Sequence, residues 1–483
     1  MMKRLLLITA LILFFQQITI AQQKGYTPKI EPCDCAFKAD SNLKIRCAYL
    51  IVPENRHKPN GKTIKLPFIY VESGNPNKRK DPVLYTGGGP GASSLRSVRG
   101  SYRRALLKNR DYIAFEQRGT QFALPCLECG VVDDAVKTAY RKNLNIDSMV
   151  LEGVKMRRKK LLADGIDLSA YNTEESAADI EDLQLALKID SLNLMGISYS
   201  GGLMMTVLKN YPQGVRSLIL DSPLPEFINI DEEELTNFNE ALNQVFLSCQ
   251  RDSLDKEKYA NLRAAFREYL TSIDGKKFTI SYREKSSEKD EVIYYSRNEL
   301  ISVVKNALED YPRIKDVPFI ITELIKGNHQ LYIKALLDGV FSGNSYTSAM
   351  RLSVYCSDKM AYARPAIIAQ QEEIYPYMAG FHVNDVYGPL CDCWKVPAIN
   401  ASVKMPFYSN VPVLLGAGGF DDACRPVYND MIHHYMPNSQ RLLFVKRPHA
   451  SLLNSHAGDP FISQFLDHPY KKIESDIKDI IAY

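Results

Sequence analysis

Six short apolar segments recur along the chain and constrain its fold more than any other feature. Each is rich in leucine, β-branched or aromatic residues and is bounded by glycine or polar turn residues. Segments of this kind are typical of strands buried on both faces of a parallel sheet. Helical patterns lie between them, and this alternation predicts an α/β fold, with a mostly parallel sheet covered by helices on both faces. The segments are residues 82–85, 112–115, 192–195, 217–220, 411–415 and 441–445.

The alternation of strands and helices breaks between residues 225 and 402. This part of the chain is more charged and richer in helical patterns, and it contains a predicted hairpin with strands at 278–282 and 292–295. The sheet pattern resumes only at Val411, so we predict a largely helical cap inserted over the carboxyl edge of the sheet. The predicted division is a signal peptide at 1–21, a core formed by 22–224 and 403–483, and a cap at 225–402.

The N-terminus has the pattern of an export signal. Lys3 and Arg4 supply positive charge, residues 5–15 are apolar, and a small-residue cleavage pattern ends at Ala21. The alternative is a membrane anchor, but the apolar stretch is shorter than the roughly 20 residues that span a bilayer. We therefore predict a protein exported to the periplasm or the medium, without a stable membrane span.

Charge and cysteine content limit the partners and cofactors of the chain. A formal net charge of +4 over 483 residues, with no block of lysine and arginine, argues against a nucleic-acid partner. Ten cysteines suit scattered bridges in an exported protein. Cys126 and Cys129 form a close pair, but the second pair of ligands that a zinc site needs is missing. We predict bridges or inert thiols of open connectivity, no metal and no cofactor.

Residues 196–202 form a glycine-flanked serine motif directly after the apolar segment 192–195. A sharp turn from strand to helix presents a serine hydroxyl for attack and requires small neighbouring residues. Ser198 meets this requirement and is the predicted nucleophile. Ser200 is the alternative, but it has no glycine two residues before it.

Three consecutive glycines, residues 87–89, follow the apolar segment 82–85. The backbone N–H groups of such a loop can stabilise the negative charge that develops on a reacting carbonyl. A phosphate-binding loop would instead end in a lysine and a hydroxyl residue. We predict an oxyanion hole formed by the N–H groups of Gly89 and of Tyr199, the residue after the nucleophile.

An acid and a histidine follow the last two apolar segments in the order that a serine triad requires. Asp421 comes after segment 411–415 and is the predicted acid, with Asp422 as the alternative. His449 comes after the last segment and is the predicted general base, with His456 as the alternative.

Together these motifs resemble the prolyl aminopeptidase and tripeptidyl aminopeptidase family of α/β-hydrolases, over most of the mature chain. The sequence departs from the family pattern at Gly87, where prolyl aminopeptidases usually have histidine, at Ser200 in the serine motif, and at residues 121–123. The residues that carry the resemblance are 88–91, 115–120, 171–187, 418–421 and the pair Pro448 and His449.

The resemblance implies a function as well as a fold. It implies a serine hydrolase that releases an N-terminal residue of the proline type, or a short peptide, from a substrate with a free N-terminus. It also implies acidic residues in the cap that hold the substrate amine. Residues 355–358 resemble a cap segment of the family, so Asp358 is the predicted amine-binding residue, with Glu372 and Glu373 as alternatives.

Two other functions remain open at this point. A carboxylic-ester hydrolase would use the same three catalytic residues, because a fold does not dictate its substrate. A catalytically silent binding protein on the same fold would normally have lost a triad position, whereas here all three are filled.

Overall fold

The computed structural model describes residues 25–36, 43–58, 60–99, 105–128, 130–285, 287, 289–342 and 348–483. The predicted signal peptide at 1–21 and the thiol of Cys129 lie outside these residues. None of the helices in the described ranges combines the length and the apolar character needed to cross a bilayer.

The described strands form one ten-stranded sheet and one two-stranded hairpin. They are β1 (Lys29–Pro32), β2 (Lys44–Pro53), β3 (Thr63–Glu72), β4 (Val83–Thr86), β5 (Tyr112–Phe115), β6 (Leu192–Ile197), β7 (Val215–Asp221), β8 (Phe278–Tyr282), β9 (Glu291–Tyr295), β10 (Val413–Gly418), β11 (Ser439–Phe444) and β12 (Ile480–Ala482).

The described helices lie between and around these strands. They are α1 (Gly130–Lys142), α2 (Ile146–Ala163), α3 (Thr173–Ala186), α4 (Tyr199–Asn210), α5 (Glu234–Arg251), α6 (Asp255–Lys258), α7 (Leu262–Ser272), α8 (Arg297–Glu309), α9 (Val317–Ile325), α10 (Gln330–Phe341), α11 (Ser348–Asp358), α12 (Pro365–Ile374), α13 (Gly388–Trp394), α14 (Val427–Tyr435) and α15 (Asp459–Asp467).

The large sheet has the strand order β1-β2-β3-β5-β4-β6-β7-β10-β11-β12. The strands from β5 to β11 in this order run parallel, whereas the outer strands are antiparallel. The predicted mostly parallel sheet is confirmed, and all six apolar segments form its parallel part. Because the carboxyl ends of parallel strands meet at one edge, the loops after β4, β6, β10 and β11 come together there.

The predicted cap is the chain between β7 and β10. Part of it forms a separate hydrophobic core, whereas α11 and α13 pack in the core of the sheet. The predicted hairpin is confirmed by the pairing of β8 with β9. Helix α1 precedes the predicted cap in sequence but packs against it, where Arg141 binds Glu284 at 2.6 Å and Glu291 at 2.7 Å. The cap core also includes Phe420 from the loop after β10. The predicted cap is therefore in direct contact with the edge where the carboxyl ends of the parallel strands meet.

Two disulfides are formed among the described residues. Cys35 is bonded to Cys47 in β2, and Cys356 in α11 is bonded to Cys391 in α13. The described residues contain no group of three or more histidine, cysteine, aspartate and glutamate side chains placed to hold a metal ion. The free thiols among the described residues are Cys33, Cys126, Cys249, Cys393 and Cys424.

Candidate active site

Ser198 lies in the turn between β6 and α4. Its backbone has φ 56° and ψ −125°, a combination that residues other than glycine rarely adopt. Its N–H donates to the carbonyl oxygen of Asp221 at 3.0 Å. Its own carbonyl accepts from the N–H groups of Gly201 at 2.8 Å and Leu224 at 3.0 Å. These bonds hold the strained turn in place and leave the Ser198 side chain partly exposed.

The alternative serine is in a different environment. Ser200 is fully buried, and its hydroxyl is hydrogen-bonded to the hydroxyl of Thr86 at the end of β4. This bond ties α4 to the neighbouring strand. The hydroxyl of Ser200 is therefore held in a structural bond and closed off from solvent, whereas that of Ser198 lies 4.0 Å from the thiol of Cys424.

Asp421 and His449 are brought together by the loops after β10 and β11. His449 Nδ1 lies 2.9 Å from Asp421 Oδ2. The other oxygen, Oδ1, accepts from the N–H groups of Ala423 at 3.0 Å and Cys424 at 2.8 Å. A Cβ on Gly418 would lie 2.0 Å from the carbonyl oxygen of Pro448, so only glycine allows the two loops this close. The carboxylate is thus oriented by backbone and presents one oxygen to the imidazole.

The alternative acid and base do not form such a pair. Asp422 is buried, and neither of its carboxylate oxygens has a hydrogen-bond partner among the described residues. Burial raises the pKa of Asp422 to about 7. The His456 side chain is 82% exposed and lies 3.5 Å from Asp459. The geometry therefore favours Asp421 and His449 over both alternatives.

Several carboxylates control the charge of His449. Burial disfavours the imidazolium, but the charge and hydrogen bond of Asp421, with the charges of Asp221 and Asp422, outweigh it and raise the pKa of His449 to about 9. Asp221 ends β7 and is fully buried, and burial raises its own pKa to about 6. Its Oδ2 accepts from the N–H of Leu453 at 2.7 Å. Asp221 therefore contacts the turn of Ser198 through its backbone carbonyl and the loop after β11 through its carboxylate.

The three-glycine loop packs directly against the serine turn. A Cβ on Gly88 would lie 2.7 Å from the carbonyl oxygen of Ile197 and 3.2 Å from Cβ of Ser198. The N–H groups of Gly89 and Tyr199 have no acceptor among the described residues. Tyr199 thus follows Ser198 in sequence, and Gly89 follows the glycine that packs against Ser198, with both N–H groups free of acceptors among the described residues.

A polar segment after β5 holds this loop in shape. Gln117 Nε2 donates to the carbonyl of Gly87 at 2.6 Å. Glu116 is fully buried, and its Oε2 accepts from the N–H of Ser94 at 2.8 Å and of Leu95 at 3.2 Å. Sequence reasoning did not assign these roles. The available signal was a polar run placed directly after a fully buried strand, where each polar group needs a partner.

Asp358 is buried at the base of the cap rather than exposed. Its carboxylate accepts from the Thr173 N–H at 3.0 Å and from the hydroxyls of Thr173 and Ser357. The Thr173 hydroxyl also lies 2.9 Å from the hydroxyl of Tyr199. Burial and the neighbouring charge of Glu226 raise the pKa of Asp358 to about 7. Its role in amine binding stays a prediction.

The other acids of the predicted cap differ in exposure. Glu372 and Glu373 are exposed, and Glu372 accepts from the N–H of Gly380 at 2.9 Å. Asp231 and Glu226 are buried, and one oxygen of each has no hydrogen-bond partner among the described residues. The structure therefore adds two buried carboxylates that sequence reasoning did not identify.

Comparison with known proteins shows similarity over parts of the chain. The α/β-hydrolase fold matches residues 81–284. The chain is 30% identical over 220 residues to tripeptidyl aminopeptidase from Streptomyces lividans, covering 42% of this chain and 40% of the relative. It is 22% identical over 246 residues to serine protease Hip1 from Mycobacterium bovis, covering 47% of each. The chain thus matches less than half the length of these relatives. A solved esterase from Thermogutta terrifontis has 13% identity and a TM-score of 0.38, covering 85% of this chain and 95% of its own.

Proposed function

We propose that this chain, whose residues 81–284 match the α/β-hydrolase fold, is a serine hydrolase acting as an aminopeptidase. Its substrate is a peptide or aminoacyl compound with a free N-terminus, from which it releases a residue of the proline type or a short peptide. The observation that carries this proposal is the 2.9 Å bond between His449 and Asp421, next to the strained turn of Ser198. Similarity to a tripeptidyl aminopeptidase and a serine protease supports cleavage of peptide bonds.

The chemistry follows from the orientation of these groups. Because His449 Nδ1 faces Asp421, Nε2 is the atom that takes the proton from the Ser198 hydroxyl. The serine oxygen then bonds to the substrate carbonyl carbon, and the N–H groups of Gly89 and Tyr199 stabilise the resulting oxyanion. His449 returns the proton to the leaving amine, which leaves an acyl-enzyme. Water attacks this ester with the same histidine as base, and Ser198 is regenerated.

Buried acids supply the negative charge for the substrate amine. The Thr173 hydroxyl contacts both the Tyr199 phenol and the Asp358 carboxylate, so Asp358 lies close to the residue after the nucleophile. Burial, with the charges of Asp358 and Glu226, raises the pKa of that phenol. Asp231 adds a carboxylate oxygen without a partner among the described residues. Glu226 is already paired with the buried Lys359 at 2.8 Å. Asp358 and Asp231 are therefore the carboxylates left to pair with an ammonium group, and each charge would stabilise the other.

The decisive test compares substrates with free and blocked amines. We expect an aminoacyl or tripeptidyl amide with a free N-terminus to be cleaved, and its N-acetylated form to lose most of kcat/KM, since acetylation removes the positive charge. Both amides are assayed with the purified protein beside a simple acyl ester. Equal rates on free and acetylated amides would contradict the aminopeptidase proposal and favour the ester hydrolase. No turnover of any substrate would favour a silent binding protein.

The charge of His449 predicts the pH dependence of the reaction. The imidazolium cannot accept the serine proton, so kcat/KM should rise with pH toward the pKa of His449, about 9. Asp221→Asn removes one charge that favours the imidazolium, so the midpoint of the profile should move to lower pH. The profile is measured for both proteins between pH 6 and pH 10. A midpoint that stays fixed or moves to higher pH in the variant would contradict this prediction.

We further propose that the protein is exported. The predicted signal peptide at 1–21 supports this, and so do the disulfides Cys35–Cys47 and Cys356–Cys391, because such bonds persist in oxidising compartments.

A further inference from the structure

Three successive carbonyl groups of the glycine loop each accept a hydrogen bond. The carbonyl of Gly87 accepts from Gln117 at 2.6 Å, and that of Gly88 accepts from the N–H of Ala92 at 3.2 Å. The carbonyl of Gly89 accepts from Nη1 of Arg351. The first two donors belong to the core of the protein. The third comes from helix α11 of the cap.

The guanidinium of Arg351 is itself held by the cap. Its Nη2 donates to Asn384 Oδ1 at 2.7 Å, and its Nε donates to Asp385 Oδ1 at 2.5 Å. The guanidinium carbon lies 4.4 Å from the ring centroid of Tyr355. The side chain is only 12% exposed. Residues of the cap therefore hold Arg351 in one defined position, from which its guanidinium reaches the glycine loop.

These bonds determine where the Gly89 N–H points. A peptide group is planar, so fixing the carbonyl of Gly88 also fixes the N–H of Gly89 in the same plane. Gly89 has φ +110°, in a region where the absence of a side chain leaves the backbone free to rotate. The bond from Arg351 to the Gly89 carbonyl fixes the next peptide group, which joins Gly89 to Pro90. With both planes fixed, the oxyanion donor is oriented before substrate arrives.

We propose that Arg351 is a positioning residue that holds the glycine loop in its catalytic conformation, so that the cap contributes to the chemical step as well as to substrate choice. The proposal rests on the proposed serine hydrolase function. Stabilisation of the oxyanion depends on donors that are oriented in advance. Because every acyl substrate forms an oxyanion, a loss of this orientation affects small esters and aminoacyl amides alike.

The test replaces Arg351 and follows kcat and KM separately on p-nitrophenyl acetate and on an aminoacyl amide. Removing an oxyanion donor costs about 10²–10³ in kcat, and releasing the loop that carries it should cost less, about tenfold or more. We expect Arg351→Ala to lower kcat on both substrates with little change in KM. Arg351→Lys should recover part of the loss, because a lysine reaches one carbonyl but cannot also bind two partners as a fork.

Two further variants separate positioning from folding. Asp385→Ala changes a side chain that is 59% exposed and removes one of the hydrogen bonds that hold Arg351. It should therefore lower kcat as Arg351→Ala does, but by a smaller factor. The matched control is Arg364→Ala, which removes another cap arginine that is paired with Glu232. Arg364 has no bond to the glycine loop among the described residues, so this variant should keep the wild-type kcat.

The outcomes that overturn the proposal are distinct from those that overturn the proposed function. Wild-type protein whose Ser198 does not react with a fluorophosphonate would overturn the hydrolase function, and the role of Arg351 with it. If Ser198 is labelled in full but Arg351→Ala keeps the wild-type kcat on the small ester, only the role of Arg351 is overturned. A variant that only raises KM for the amide, with kcat unchanged, would also overturn the role of Arg351, because that result indicates that Arg351 binds substrate instead of orienting the loop. If Arg351→Ala does not fold, an unchanged kcat in both Asp385→Ala and Arg351→Lys would overturn the role of Arg351 in the same way.

Discussion

Replacing Ser198 with alanine should lower turnover by about 10⁴-fold or more, the size of effect seen when a nucleophile is removed from a serine triad. Alanine lacks the oxygen that bonds to the substrate carbonyl, so no acyl-enzyme forms. It has the same backbone preferences as serine, so the turn at φ 56° carries no added strain and the fold should be unchanged. Steady-state turnover and labelling by a fluorophosphonate measure the loss, and the melting temperature checks the fold.

Ser200→Ala is the matched control for this variant. It removes a serine two residues away whose buried hydroxyl is bonded to Thr86, so we expect a small loss of stability and normal fluorophosphonate labelling. Labelling that persists in Ser198→Ala but disappears in Ser200→Ala would show that the nucleophile had been assigned to the wrong serine. Near-normal turnover in Ser198→Ala would contradict the serine mechanism altogether.

Much of the fold and the core of the candidate site follow from local sequence. Strands β4, β5, β6, β7 and β10 of the large sheet are almost fully buried, and continuous apolar runs are a signal that needs no knowledge of distant contacts. Ser198 follows β6 directly, Asp421 lies three residues after the end of β10, and His449 lies five residues after the end of β11. Because parallel strands end at the same edge, their order in the sequence was enough to predict a shared site, and the structure joins Asp421 and His449 by a hydrogen bond.

The remaining features depend on contacts between residues far apart in the sequence. Strands β2 and β3 pair along ten residues each but were not predicted, since their burial is partial and alternates with exposure. Helix α1 joins the cap through Arg141 and Glu291, which lie 150 residues apart. Arg351 reaches Gly89 across 262 residues. No local pattern marks such partners, because each is chosen by tertiary packing.

The second large effect is expected from Asp421→Asn, which should lower kcat by about 10⁴-fold, as for the corresponding change in other serine triads. The reason is geometric. Oδ1 of Asp421 accepts from the N–H groups of Ala423 and Cys424, so the amide oxygen of asparagine must take that position. Its NH₂ group then faces His449 Nδ1, which has to accept a hydrogen bond instead of donating one. The ring proton moves to Nε2, and the histidine can no longer take the proton of Ser198.

The neighbouring acid provides the control for this change. Asp422→Asn makes the same substitution at a buried carboxylate that has no hydrogen-bond partner among the described residues, so it leaves the tautomer of His449 unchanged and should keep most of the activity.

The two variants also differ in their pH profiles. Asp421→Asn removes the strongest support for the imidazolium, so the remaining activity should lose the ionisation near pH 9, whereas Asp422→Asn should shift it only slightly. Equal losses in both variants would contradict the assignment of Asp421, because of these two side chains it is the one that contacts the imidazole.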